Sequence, residues 1–175
     1  MKNWRTPAIV LLTAIFMTGT AGAQILRFRA LGSENLTASM SGAQEVPAVD
    51  ALGRGAALFS VSDDRSEVSF KVTVANVSEM TQSHIHCGAA GVNGPIVVFL
   101  FGLLPEGDTL NGILAQGSFK ADKLIPRPDS SSCPGGVASL EELLVKMETG
   151  QAYVNVHTIP HPSGEIRGQI RPTLS

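Results

Sequence analysis

Over residues 36–41, 53–62 and 67–76 apolar and polar residues alternate with period two, the signature of half-buried β-strands. Val68, Phe70, Val72 and Val74 fall on one parity, Glu67, Ser69, Lys71 and Thr73 on the other, which predicts a strand over 67–76. A second strand over 53–62 carries Ala57, Phe59 and Val61 on one face, and the polar turn Asp63-Asp64-Arg65-Ser66 joins the two as a hairpin. Leu36–Ser41 alternates as an earlier strand, followed by a loop over 42–49 in which Pro47 interrupts any ladder. Further strands are expected at 82–87, at the continuous apolar run 96–101, at 112–120, at 151–157 and at 165–171. The turn signals between them are the Gly-rich stretch 88–95, the Pro/Ser/Gly-rich connection 125–136 and His161-Pro162-Ser163-Gly164. The period changes to 3.6 only over 139–148, where Leu140, Leu143, Leu144 and Met147 form one stripe. Ser139 caps that helix with Glu142 at the capping-box position, and Gly150 lies just past its end. Seven or eight short strands and one short helix predict an all-β Greek-key sandwich or flattened barrel, formed as a single domain over 36–172.

The first 23 residues do not belong to that pattern. Lys2 and Arg5 precede an apolar run, Ala8–Met17, and Ala21-Gly22-Ala23 supplies small residues for cleavage before Gln24. Residues 1–23 are therefore expected to be a signal peptide and 24–35 a leader, with the product exported to a periplasm or secreted. No later stretch reaches the roughly 18 apolar residues of a membrane span. Without Lys2 and Arg5 the 13 basic residues fall to 11 against 15 acidic ones, a net charge of −4. No basic cluster is present, so nucleic acid is not an expected partner. Eighteen glycines, ten prolines and a charged fraction of 16% suit strands joined by turns better than a helical bundle.

Candidate chemistry collects on two strands. The chain has four histidines. His84 and His86 alternate with Ile85, so they share a strand face, and Tyr153, Asn155 and His157 share a face opposite Val154 and Val156. Both sets lie opposite the apolar face, which predicts a solvent-facing site of two imidazoles from one strand and a third, His157, from a neighbour. His161 can fold back as a fourth ligand. Asn155 and Glu165 are candidates to orient an imidazole, Tyr153 to line the site, and Arg167 to attract an anion. Copper is the expected metal, because an imidazole-rich, carboxylate-poor site ranks it high in the affinity order; zinc on three histidines and a water is the other possibility. Cys87 lies on the parity of Ile85 rather than of the histidines. This favours a disulfide with Cys133 over a thiolate ligand of a blue-copper site. No Gly-x-Ser-x-Gly elbow or free thiol nucleophile is indicated, so a binding role is favoured over an enzyme. The alternative is an adhesion or interaction module whose histidines are structural.

Several stretches together resemble the chordin-type (CHRD) domain of chordin and of many exported bacterial proteins. They are 36–47 (LTASMSGAQEVP), 53–57 (GRGAA), 84–98 (HIHCGAAGVNGPIVV), 153–158 (YVNVHT) and 161–170 (HPSGEIRGQI). The resemblance covers nearly the whole chain after the leader and implies a β-rich domain with no settled activity for bacterial members. A looser resemblance is to copper/zinc superoxide dismutase, which also carries a His-x-His pair on a strand of a Greek-key barrel. It implies His84, His86 and His157 as copper ligands, a Cys87–Cys133 disulfide and Arg167 as an anion guide. The chain has too few histidines for a bridged two-metal site, so this resemblance reaches at most a copper-only dismutase.

Overall fold

A computed structural model describes residues 34–173. The expected signal peptide, and the leader as far as residue 33, lie outside the described residues. Strand β1 (Glu34–Ser41) starts before the expected boundary, taking in the last two residues assigned to the leader. Then come β2 (Arg54–Val61), β3 (Val68–Cys87), β4 (Ile96–Phe101), β5 (Asp108–Phe119), α1 (Leu140–Glu148), β6 (Ala152–Thr158), β7 (Ile166–Gln169) and β8 (Arg171–Pro172). The strands form one eight-stranded sheet in the order β2-β1-β7-β6-β3-β4, and an additional β2–β3 pairing closes it on itself. The result is the flattened all-β barrel expected from the alternation, with β5 added along β3 and β8 along β1.

Closure depends on β3, which replaces two expected strands, 67–76 and 82–87, with one of 20 residues. Its first half pairs with β2 and β5 and its second half with β6 and β4. The register against β5 shifts between Val74 and Val77 and again between Val77 and Met80. Asn76 (φ 56°) and Glu79 (φ 54°) take the left-handed conformation in those intervals, the bulge geometry that bends a strand. The N–H groups released from the ladder are taken by β5 side chains, Asn76 by Asn111 Oδ1 at 2.7 Å and Glu79 by Thr109 Oγ1 at 2.9 Å. A bent strand with its bulge donors satisfied from outside can serve both halves of a barrel.

The barrel interior holds the apolar parity of each strand: Leu36 and Met40, Ala57 and Phe59, Val68 and Val72, Ile85, and Val154 and Val156, all 2% exposed or less. Helix α1 packs its stripe of Leu140, Leu143, Leu144 and Met147 beside β6 and β8. Ser139 Oγ accepts from the Glu142 N–H as expected, but Glu142 Oε2 accepts from Ala138, one residue before the position a capping box uses. Cys87 and Cys133 form the expected disulfide, with a sequence separation of 46. It ties the connection over 125–136 to the end of β3, a restraint worth about 3–4 kcal/mol on the chain-entropy account. Among the described residues no helix is long and apolar enough to cross a membrane.

Candidate metal centre

Register builds the site. β3 and β6 run antiparallel with His84 opposite Asn155, His86 opposite Tyr153 and Gln82 opposite His157. β7 continues the row, placing Arg167 opposite Asn155 and Gln169 opposite Tyr153. Directly opposed residues share a face, so one polar face of the barrel carries Gln82, His84, His86, Tyr153, Asn155, His157, Arg167 and Gln169. On it, one ring nitrogen from each of His84, His86 and His157 lies within 4.8 Å of the others, a group able to hold a metal ion. On the other side Phe99 of β4 sets its ring edge-on to His84, with centroids 4.4 Å apart.

The face is buried, contrary to the solvent-facing site expected from parity. His84 is 0%, His157 7% and His86 8% exposed. The alternation correctly separated these side chains from the barrel core. What covers the polar face is loop, and loop packing leaves no periodic trace. The 88–95 loop is clamped onto it by Arg167, whose guanidinium donates to the Ala89 and Val92 carbonyls at 2.9 Å each and to Asn93 Oδ1 at 3.2 Å. Asn93 in turn donates to the Val46 carbonyl, joining this loop to the one over 42–49. The turn over 159–164 closes the third side.

Backbone carbonyls fix the protons on the rings. His86 Nδ1 is 2.9 Å from the Gly94 carbonyl and His157 Nδ1 is 2.9 Å from the Pro162 carbonyl. A carbonyl only accepts, so both Nδ1 atoms carry hydrogen and both Nε2 atoms present lone pairs. His84 is held the opposite way round: its Nε2 meets Gln82 Oε1 at 3.1 Å, which leaves the Nδ1 lone pair facing inward. Three lone pairs therefore converge. His84 Nδ1 and His157 Nε2 are 3.1 Å apart, and His86 Nε2 is buried with no hydrogen-bond partner. Two neutral nitrogens so arranged repel one another unless a cation lies between them. Nitrogens bound about 2.0–2.1 Å from a tetrahedral ion stand about 3.3 Å apart, close to the 3.1 Å between His84 Nδ1 and His157 Nε2.

The electrostatics agree with a site built for neutral imidazoles. Burial pushes His84 down to about 3 and His86 to about 4, with the other histidines and, for His86, Arg167 and Arg127 adding positive potential. Burial also lowers His157, although the Pro162 carbonyl partly offsets this by supporting its N–H. Metal ions bind the unprotonated ring, so these rings need shed no proton near neutral pH.

Around this group the expected supporting residues take different parts. Tyr153 stacks on His86, with ring centroids 4.7 Å apart and planes 11° off parallel, and the Arg167 guanidinium carbon sits 3.4 Å from the Tyr153 centroid. Arg167 is 1% exposed, and its donors point into loop carbonyls, so it is a clamp on the 88–95 loop and not the anion guide expected for it. Asn155 donates to Glu45 Oε1 at 2.7 Å, not to an imidazole. Glu165 accepts from Thr158 Oγ1, away from the rings. His161 stays outside the group of three: its N–H donates to Thr158 Oγ1 and its carbonyl accepts from Gly164. It shapes the turn that brings the Pro162 carbonyl to His157. Cys87 is committed to the disulfide and offers no thiolate.

Two contributors escaped the sequence reading. Gln82 has the parity of His84 and His86, so strand periodicity contained the signal. Glu45 sits in a loop and arrives beside Asn155 only through tertiary folding. It is 8% exposed, and burial lifts its carboxyl to about 7 against the lowering influence of Arg167.

A family model described as the CHRD domain matches residues 36–170. No curated protein and no solved structure gives a significant match to the chain.

Proposed function

The chain belongs to the CHRD-domain family, and from that premise we propose that it is an exported domain that holds a copper ion on His84, His86 and His157, for copper binding coupled to a redox or electron-transfer role. The observation that carries this reading is the convergence of three unprotonated ring nitrogens, each fixed by a hydrogen bond on the far side of its ring or left without a protein partner. A purely structural histidine cluster would be expected to alternate donors and acceptors, whereas this one directs acceptors at acceptors. A group consisting only of imidazoles, with no carboxylate or thiolate among its members, favours copper over the metals of oxygen-rich sites. A buried disulfide suits an oxidising compartment, which supports export.

Titration of the mature protein with Cu²⁺, and with Cu⁺ under reducing conditions that spare the buried disulfide, tests the reading. One equivalent is expected to bind, with nitrogen hyperfine structure from imidazoles in the Cu²⁺ electron paramagnetic resonance spectrum. Absence of stoichiometric binding, or binding unchanged in the H84A/H86A double variant, would sink it.

A further inference from the structure

Glu45 is a buried carboxyl without an ion-pair partner among the described residues. Its Oε1 accepts from Asn155 Nδ2, and Asn155 stands opposite His84 in the β3–β6 register, so the carboxyl is one side chain removed from the three rings. The position is tightly built. A Cβ on Gly164, which has a φ of +129°, would come within 2.7 Å of Glu45 Oε1 and 2.3 Å of Asn155 Nδ2, so only glycine leaves room for the pair. The Asn155 Oδ1 on the other side of that amide is buried without a partner. On its outer side Glu45 lines a cavity of about 230 Å³, together with Gln44, Ala90, Gly91, Arg167 and Gln169, through which a proton can leave. The charged and titratable groups facing it are the Arg167 guanidinium on β7 and the Tyr153 phenol on β6.

The charge balance of the site follows. Three neutral imidazoles bring no negative charge, and the Arg167 guanidinium already places one positive charge beside them. A divalent ion in that setting is a buried, uncompensated charge, which is costly unless a counter-charge is close. We propose, resting on the metal reading above, that Glu45 is that counter-charge and sets which cations the site accepts. Its carboxyl releases its proton to solvent through the cavity when a divalent ion enters, and keeps the proton when a monovalent ion enters. Burial holding this carboxyl near 7 leaves it largely protonated at pH 6 and largely ionised at pH 8.

The test is calorimetric titration with Zn²⁺ and with Ag⁺, two ions that undergo no redox chemistry here, at pH 6 and pH 8 in buffers of different ionisation enthalpy. For the wild-type protein, Zn²⁺ affinity is expected to rise about tenfold between these pH values, with about one proton released per ion at pH 6. Ag⁺ affinity should stay level, and because Ag⁺ meets the same ring nitrogens it reports any proton displaced from the imidazoles themselves. The E45Q variant keeps an oxygen for Asn155 but cannot ionise. It is expected to lose tenfold or more in Zn²⁺ affinity at pH 8, to lose the pH dependence, and to bind Ag⁺ within about twofold of wild type. Equal losses for both ions in E45Q, or wild-type Zn²⁺ binding with neither pH dependence nor proton release, would overturn the proposal while leaving the metal site standing. If E45Q does not fold, the wild-type arms decide alone. Failure of the wild-type protein to bind either ion would remove both this proposal and the function it rests on.

Discussion

His84 Nδ1 and His157 Nε2 face one another across 3.1 Å, although the hydrogen of each ring is engaged on its far side, by Gln82 Oε1 and by the Pro162 carbonyl. The metal-free protein thus carries a repulsion that a bound cation converts into an attraction. Metal should therefore stabilise the fold as well as occupy the site. At a free concentration about 100 times the dissociation constant, linkage alone adds about 2.7 kcal/mol. Thermal unfolding with and without Cu²⁺ or Zn²⁺ is expected to show a Tm rise of several degrees in the wild type and none in H84A/H86A.

Gln82 determines which nitrogen of His84 faces inward. Replacing it with leucine removes the acceptor that holds the proton on Nε2, so the ring can move that proton to Nδ1 and donate to His157. Metal affinity is then expected to fall about 10- to 100-fold, the usual cost of losing the partner that orients a ligand. Because the new His84–His157 hydrogen bond would relieve the repulsion, the metal-free variant should be no less stable than wild type. Competition titration with a chelator, beside urea unfolding of the metal-free proteins, reads both outcomes. An unchanged affinity would show that Gln82 does not set the tautomer.

The histidines and Glu45 set the pH dependence of the metal-free protein's stability in opposite senses. His84 and His86 titrate at about 3 and about 4 in the fold against 6.5 ordinarily, and His157 is also lowered. The unfolded chain therefore takes up protons that the fold refuses. Their contribution is complete above about pH 6.5 and declines as pH falls below it, by up to about 1.4 kcal/mol per pH unit for each ring. Glu45 acts in the opposite sense. Raised from 4.5 to about 7, its contribution is present below about 4.5 and is lost as pH rises through 7. Several rings outweigh one carboxyl throughout the acid range, so stability should rise with pH and level off above about pH 7. Urea unfolding from pH 4.5 to pH 8 is expected to show that rise and plateau, and E45Q, which removes the opposing carboxyl, should steepen the rise between about pH 5 and pH 7.

Legibility followed local periodicity. The barrel parity of Val68, Val72, Val154 and Val156, the helix stripe from Leu140 to Met147 and the three-histidine face could all be read because strand and helix geometry fix them within a few residues. In the sequence β3 looks like two strands because the bulges at Asn76 and Glu79 break the alternation that identifies a strand. Their donors are satisfied by Asn111 and Thr109, more than 25 positions away in the chain. Burial of the histidines was invisible for a related reason. It depends on Arg167 reaching three groups of the 88–95 loop and on Asn93 reaching Val46, contacts between loops and strands that follow no period. Parity could say which residues share a face, but not whether a loop lies over it.

Arg167 is where the cover of the site is most exposed to disruption. Its guanidinium stacks on Tyr153 and divides its donors among Ala89, Val92 and Asn93, with 1% of the residue exposed. Lysine at this position keeps the charge, but a single ammonium can neither lie flat on the phenol ring nor span three separate acceptors. Arg167→Lys would take two of three donors from the loop acceptors and leave a buried cation poorly held, a combination expected to cost about 1–3 kcal/mol. The loss should be localised first. Hydrogen exchange of the 88–95 amides should accelerate before the barrel strands are affected, and metal should bind and leave faster as the loop lifts from His86. Arg54→Lys serves as the control, because Arg54 is exposed and, among the described residues, donates to the nearby Ala51 and Gly53 carbonyls. That change should stay within about 0.5 kcal/mol of wild type. Equal stability of the two lysine variants would show that the 88–95 loop is held by something other than the Arg167 fork.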